Sequence, residues 1–357
     1  METIVDAHVH LWDPNHFRMS WLDGDALLEQ PYDLDTYREH TAGLDVDALV
    51  YLEVDVDAPY KLLEAQWAVD RMREDARLQA VVAFAPVENG PRARSYLDAL
   101  VAIDPRIVGV RRIYQGEPDV AFCLRPGFVQ GVRILADYGL SFDICIRHEQ
   151  LAATVDLVRQ CPETRFILDH LGKPDIAGRR LDPWRRQMRD LAALPNVLCK
   201  VSGAVTEADH GRWTIDDLAP YVSHALEVFG EDRVVFGGDW PVVLTAAPYR
   251  RWVEALAALT AHLSPTARRK LWGDNARRFR RVPARGSTKP HGYRRGPCDR
   301  TMVRQRLTAL RLMHERGGRG PSARHNAGPR RPMPACAQAV RTRSIVSFRM
   351  MRTSEPW

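Results

Sequence analysis

Short β-rich runs alternate with helix-like segments through the first 284 residues of this chain, and this alternation limits the folds that it can adopt. The runs are rich in Val, Ile, Leu and Phe, whereas the segments between them are amphipathic, as where Leu63, Trp67 and Met72 recur at near-helical spacing. Eight strands with interleaved helices predict a parallel sheet, and eight is the number that closes an α/β TIM barrel, the (β/α)8 fold. The predicted strands are Thr3–His10, Ala48–Val54, Leu78–Phe84, Ile107–Arg111, Ser141–Ile146, Arg165–Asp169, Val197–Ser202 and Val234–Asp239.

An open, doubly wound sheet is the alternative architecture for the same alternation. It is disfavoured because no GxGxxG motif follows the first strand and because polar residues end nearly every strand instead of clustering at one switch point. We therefore predict a TIM barrel over residues 1–284. The predicted helices are Tyr60–Asp75, Pro91–Ala102, Pro126–Tyr138, Glu149–Gln160, Pro183–Ala193, Asp216–Phe229 and Tyr249–His262, with Pro91, Pro126 and Pro183 in first-turn positions.

Charge divides the chain close to residue 284. The chain has 51 basic and 45 acidic residues, and residues 285–357 contain 17 of the basic and 3 of the acidic ones. Residues 1–284 therefore contain 34 basic and 42 acidic residues, a net charge of −8, which gives no support for nucleic-acid binding. We expect residues 285–357 to be a disordered, Arg-rich extension. It is either an arm that touches phosphates or other anionic surfaces, or an extension without function such as out-of-frame translation, the interpretation we favour.

The sequence shows no sign of secretion or membrane insertion. No run of 18 apolar residues is present, and the first ten residues, METIVDAHVH, lack the basic and apolar regions of a signal peptide. The six cysteines form no CxxC pair, so we expect reduced thiols in a cytoplasmic protein. We expect a small-molecule substrate and no membrane partner, and the sequence leaves open a homo-oligomer.

The first strand carries two histidines separated by one residue. Because side chains alternate along a strand, Asp6, His8 and His10 are expected on one face, with Val5 and Ala7 on the other. Two imidazoles at this spacing can bind one metal ion, and the end of the first barrel strand is where catalytic groups are expected.

Two later strands also end in residues capable of chemistry. The sixth run ends in Asp169-His170 and then breaks at Gly172 and Pro174. The eighth run passes through two glycines to Asp239, which would serve as a general base or a metal ligand.

Other strand ends supply secondary candidates. Glu53 is a candidate metal ligand or an acceptor for substrate hydroxyls, and Arg111 and Arg112 would polarise a carbonyl or bind a carboxylate. Lys200 ends the seventh run, and Trp240 is a candidate pocket wall.

Together these motifs resemble the amidohydrolase superfamily. They are most similar to the amidohydrolase-related branch that holds fuconolactone and rhamnonolactone hydrolases and pyrone-dicarboxylate lactonase. The likeness extends from about Thr3 to about Phe279. It rests on Val5-Asp6-Ala7-His8-Val9-His10-Leu11-Trp12-Asp13, Leu168-Asp169-His170-Leu171-Gly172-Lys173-Pro174, Lys200-Val201-Ser202-Gly203 and Phe236-Gly237-Gly238-Asp239-Trp240-Pro241.

The resemblance implies roles for individual residues. The family's first-strand histidines correspond to His8 and His10, its later histidine to His170, its final aspartate to Asp239 and a frequent arginine contact to Arg111. It implies one divalent metal ion, with zinc favoured, although some lactonases of this branch work without metal. No carboxylated-lysine bridge is apparent. A mononuclear site would draw on His8, His10, His170 and Asp239, with Glu53 completing it.

Three functions follow as hypotheses. The first is hydrolysis of a lactone, derived from a sugar acid, by water attack with Asp239 as general base. The second is metal-dependent decarboxylation of an unsaturated or aromatic acid on the same barrel. The third is a non-catalytic barrel with a basic binding tail.

Overall fold

Eight parallel strands, each hydrogen-bonded to the next in chain order, form one sheet in the computed structural model, which describes residues 2–283. The ends of the sheet meet where the His10 amide donates to the Trp240 carbonyl and the Asp239 amide donates to the His8 carbonyl, each at 2.8 Å. The predicted TIM barrel is therefore confirmed. The strands are β1 Ile4–Val9, β2 Val46–Leu52, β3 Leu78–Phe84, β4 Ile107–Arg111, β5 Ser141–Ile144, β6 Arg165–Leu168, β7 Val197–Val201 and β8 Val234–Phe236.

Helices follow the strands and surround the barrel, as predicted for seven of them. A further short helix after β1 was not predicted, because it has only seven residues and follows a long loop. Its N-cap is Asp33, whose side chain accepts a hydrogen bond from the Thr36 amide. No helix within residues 2–283 has the length and apolar character to span a membrane. The helices are α1 Leu34–His40, α2 Lys61–Arg71, α3 Arg94–Ile103, α4 Pro126–Ile134, α5 Leu151–Gln160, α6 Trp184–Ala192, α7 Ile215–Phe229, α8 Tyr249–Leu259, α9 Pro265–Arg269 and α10 Asn275–Arg280.

The predicted alternation of side chains along β1 is wrong at Val5 and Asp6, because Val5 shares the inward direction of His8 and Asp6 does not. The Asp6 carboxylate points outward, where it accepts from the hydroxyls of Tyr37 in α1 and Tyr249 in α8 at 3.0 and 2.7 Å. His8 instead points inward, toward residues of β4 and β7. The pairing register of β1 with β2 shifts between Asp6 and Val9, and such a bulge breaks strict alternation.

The N-terminal end of the barrel is covered by α10. Phe279 packs with the inward-facing strand residues Val5 and Val82, and its carbonyl accepts from Arg165 at the start of β6. The next residue, Arg280, is only 1% exposed because its guanidinium enters the barrel. The predicted extension at residues 285–357 lies outside the described residues.

Asp6 of β1 should stabilise the fold by several kcal/mol, because its carboxylate accepts hydrogen bonds from α1, from α8 and from the Gly238 amide that follows β8. Asp6→Ala leaves buried donors without acceptors, and we expect it to lower the free energy of unfolding by about 3–5 kcal/mol. Urea unfolding measures this change. The control is Asp35→Ala, which removes an exposed carboxylate from α1. Equal stability of the two variants would contradict this role.

Candidate active site

The four residues predicted most strongly converge at the C-terminal mouth of the barrel. Nε2 of His8 lies 3.1 Å from Nε2 of His10 and 3.5 Å from Oδ1 of Asp239. The other oxygen of Asp239 lies 3.7 Å from Nδ1 of His170. All four side chains are buried. The central geometric expectation from the sequence, three imidazoles around one carboxylate, therefore holds in the structure.

Two of these side chains belong to residues with a left-handed backbone conformation just after a strand. His170 has φ 53° and Asp239 has φ 57°, a region that non-glycine residues seldom adopt and that is concentrated at functional sites. Gly203, with φ 58°, lies beside both residues. A Cβ at this glycine would lie 2.6 Å from Nδ1 of His170 and 3.0 Å from Oδ2 of Asp239, so only glycine fits.

A buried ammonium group lies directly beneath His8. Nζ of Lys200 contacts Oδ1 of Asp169 at 2.7 Å, Oδ2 of Asp143 at 3.1 Å and Nδ1 of His8 at 3.0 Å. Asp143 also accepts from Arg280 of α10. Sequence reasoning missed Asp143 and Arg280. The available signal was a carboxylate in the middle of an apolar strand, Phe142-Asp143-Ile144, because a buried charge requires a partner.

Arg111 lies on the other side of His8. Its Nε donates to Oε1 of Glu53 at 2.7 Å, and the Glu53 carbonyl accepts from its NH2 nitrogen. Its NH1 nitrogen lies 3.3 Å from Nε2 of His8 and 3.4 Å from Oδ2 of Asp169. The guanidinium is therefore fixed by Glu53 and presents its remaining nitrogen to the centre of the site.

Burial and neighbouring charges set the protonation of the central groups. Burial lowers the pKa of His170 to about 4 and, with the nearby Lys200 charge, holds the pKa of His8 well below its usual range. Burial raises the pKa of Asp239, but the neighbouring His170 and His10 outweigh it and bring that pKa below its usual value. At neutral pH the site therefore combines neutral His8 and His170 with an ionised carboxylate.

The donor set at the mouth fits a single divalent cation. His8, His170 and Asp239 each offer one ligand atom, and these atoms lie within 4.8 Å of one another. Two imidazole nitrogens and a carboxylate oxygen are ligands that zinc accepts, with an open position for water or substrate. Cys145, Asp169 and His170 form a second such trio, but burial raises the pKa of the Cys145 thiol to about 11 and disfavours the thiolate that metals bind.

The remaining predicted site residues lie at different distances from the centre. The Glu53 carboxylate forms an ion pair with Arg111. Its assignment as a metal ligand stays a prediction. The Arg112 guanidinium pairs with Glu88 and Glu117 instead of with the central groups. Trp240 is fully buried and packs edge-on against tyrosine rings behind the site.

The depressed pKa of His170 predicts a pH-dependent part of the stability. An unfolded histidine titrates near 6.5, so between pH 6.5 and about 4 the unfolded chain binds the proton that folded His170 refuses. The stabilisation is complete above pH 6.5 and is lost as the pH falls through 4. It amounts to about 3 kcal/mol.

Urea unfolding in the presence of a chelator, at pH 7 and at pH 4, tests this linkage. Between these two values wild-type protein should lose about 3 kcal/mol more stability than His170→Gln. Identical pH dependence of the two proteins would show that His170 is not buried in its neutral form.

Gly203→Ala should weaken zinc binding without removing a ligand, because the new methyl group displaces His170 and Asp239. We expect at least a roughly tenfold loss of zinc affinity in a competition titration with a fluorescent chelator. Gly24→Ala is the matched control, since Gly24 also has a positive φ, 79°, but has no atom within 4 Å of the added methyl position. Equal zinc affinity of the two variants would refute the assignment of these ligands.

Comparisons with known proteins agree with this geometry. The sequence profile of the Amidohydrolase family matches residues 5–281. An L-fucono-1,5-lactonase from Burkholderia multivorans is 30% identical over 299 residues, which cover 78% of this chain and 96% of the relative. An L-rhamnono-gamma-lactonase from Scheffersomyces stipitis is 23% identical over 327 residues, covering 76% and 97%.

A solved structure gives the same result in three dimensions. The crystal structure of an amidohydrolase from Burkholderia multivorans with bound zinc has a TM-score of 0.71 and 28% sequence identity, over 78% of this chain and 99% of that chain. The family profile spans well over half of the chain, and the barrel carries the histidines and the aspartate that the resemblance predicted. The chain belongs to the amidohydrolase family of hydrolases.

Proposed function

We propose that this chain hydrolyses a lactone, and that the lactone derives from a sugar acid such as fuconic or rhamnonic acid. The observation that carries the proposal is the convergence of His8, His10, His170 and Asp239 at one buried point. The sugar-acid class is supported by relatives named as L-fucono-1,5-lactonase and L-rhamnono-gamma-lactonase.

Asp239 is the general base of the proposed reaction. Its carboxylate is ionised at neutral pH and has an imidazole beside each of its oxygens, with Nε2 of His8 at 3.5 Å and Nδ1 of His170 at 3.7 Å. It takes a proton from water while the water oxygen forms a bond to the ring carbonyl carbon. The bond between that carbon and the ring oxygen then breaks, and Asp239 returns the proton to the departing alkoxide. One water is consumed and one hydroxy acid is formed.

The carbonyl oxygen gains negative charge in this step and needs a donor. Arg111 is placed for that role because its NH1 nitrogen lies 3.3 Å from Nε2 of His8, while its other two nitrogens bind Glu53. A donor fixed before the reaction stabilises the transition state without a reorganisation cost.

A divalent cation, with zinc favoured by the donor set, would be held by His8, His170 and Asp239. When bound, it supplies Lewis-acid polarisation of the carbonyl. Nε2 of His10 lies 3.6 Å from Oδ1 of Asp239, so His10 borders the base on the side of His8.

Asp239→Asn should lower kcat for L-fucono-1,5-lactone by about 10²–10⁴, the usual scale for a positioned proton transfer. Acid release in a pH-indicator assay measures the rate, and Asp216→Asn on the exposed surface of α7 is the control. A folded Asp239→Asn protein that keeps more than about a tenth of wild-type kcat would remove Asp239 from this role.

Carbon dioxide release from an aromatic or unsaturated acid, with no acid release from sugar lactones, would replace the proposal by the decarboxylase alternative. A panel of lactones and acids run on the same preparation therefore decides between the two reactions.

A further inference from the structure

A series of positively and negatively charged side chains alternates through the barrel interior from α10 to the C-terminal mouth. Arg280 contacts Asp143, Asp143 contacts Lys200, and Lys200 contacts Asp169. Asp169 then contacts Arg111, which is paired with Glu53. All six side chains are at most 3% exposed, and the three cations match the three carboxylates.

Lys200 is therefore held as an ammonium group with its donors fully used. Asp143, Asp169 and Nδ1 of His8 provide three acceptors at 3.1, 2.7 and 3.0 Å, one for each N–H. An ammonium group has no lone pair and can only donate. Nδ1 of His8 must consequently present its lone pair to Lys200.

The hydrogen bond of His10 independently fixes the same arrangement. Nδ1 of His10 lies 3.0 Å from the carbonyl oxygen of Leu52, and a carbonyl only accepts, so His10 carries its proton on Nδ1. Nε2 of His10 then offers a lone pair to Nε2 of His8, 3.1 Å away. Lys200 and His10, the two closest partners of the His8 ring, therefore both favour a single proton on Nε2.

Arg111 and Asp169 would favour the opposite tautomer, but their contacts are longer. NH1 of Arg111 lies 3.3 Å from Nε2 of His8 and also has Asp169 as an acceptor. Oδ1 of Asp169 lies 3.6 Å from Nδ1 of His8, beyond hydrogen-bond distance, whereas Nζ of Lys200 lies 3.0 Å from that nitrogen.

We propose that Lys200 is a positioning residue that holds His8 in the tautomer protonated at Nε2, so that an N–H directed at Nε2 of His10 before substrate binds is available to the reacting carbonyl oxygen. The catalytic part of this inference rests on the proposed lactone hydrolysis. The tautomer itself does not, so the two can fail separately. Arg280 contributes from the opposite end of the barrel by binding Asp143.

Lys200 has a second effect on His8. If its amine is removed, Asp169 becomes the nearest partner of His8 Nδ1, and the proton can occupy that nitrogen. Nε2 of His8 then offers a lone pair to a metal, with a carboxylate behind the ring as in many zinc sites. Lys200 therefore favours the donor form of His8 over the metal-binding form.

Nuclear magnetic resonance of the wild-type protein tests the tautomer directly. Long-range ¹H–¹⁵N correlation spectra of ¹⁵N-histidine-labelled, chelator-treated protein at neutral pH should show His8 protonated only at Nε2 and His10 protonated at Nδ1. His8→Gln and His10→Gln assign the signals. A His8 ring protonated at Nδ1, or at both nitrogens, overturns the proposal whatever the substrate.

Lys200→Met tests the two consequences. We expect zinc affinity to rise about 10–100-fold and kcat without metal to fall about 10²–10⁴-fold, with KM changed less than about threefold. Unchanged zinc affinity and kcat in folded Lys200→Met would overturn the proposal. Lys270→Met is the matched control, because Lys270 also binds two carboxylates, Glu231 and Asp232, but lies away from the site.

The unpaired carboxylates left by Lys200→Met can prevent folding. The double variant Lys200→Met/Asp143→Asn keeps the buried charges balanced and should show the same rise in zinc affinity and the same fall in kcat. If this variant is folded and neither quantity changes, the positioning role is refuted. If zinc affinity and the His8 tautomer change as expected but no lactone is hydrolysed by wild type, the proposed reaction fails and the tautomer assignment stands.

Discussion

The site depends on the backbone contact that closes the barrel between β1 and β8. The Asp239 amide donates to the carbonyl of His8, and the His10 amide donates to the carbonyl of Trp240. These two hydrogen bonds join residues that are more than 220 positions apart in the chain and place an imidazole pair beside a carboxylate. Asp6 supports the same contact from outside the barrel, through the Gly238 amide at 2.7 Å. The chemistry of the mouth is thus a direct result of barrel closure.

Charge balance inside the barrel is the second constraint. Burying an ion is costly unless it is paired and hydrogen-bonded. In the series of ion pairs that begins at Arg280 and ends at Glu53, each charged group has an opposite charge beside it. The arrangement therefore places ammonium and guanidinium groups directly beneath and beside His8. Burial and the Lys200 charge keep this ring neutral, in a site that also fits a metal ion.

The strand pattern and four motifs were sufficient to predict the barrel and its principal residues. Strand ends in a TIM barrel meet at one mouth, so His8, His170 and Asp239 could be placed together from their positions alone. The outward direction of Asp6 could not be predicted, because it depends on a register shift between β1 and β2. The insertion of Arg280 was equally inaccessible, because its partner Asp143 lies 137 residues away and only the fold brings them together.

Hydrolysis of L-fucono-1,5-lactone by this protein in H₂¹⁸O tests the proposed water attack. Water attack on the ring carbonyl predicts turnover well above the spontaneous rate and one ¹⁸O atom in the carboxylate of the product, located by mass spectrometry of product fragments. No turnover above the spontaneous rate across sugar-acid lactones, or ¹⁸O in the alcohol oxygen released from the ring, would contradict it.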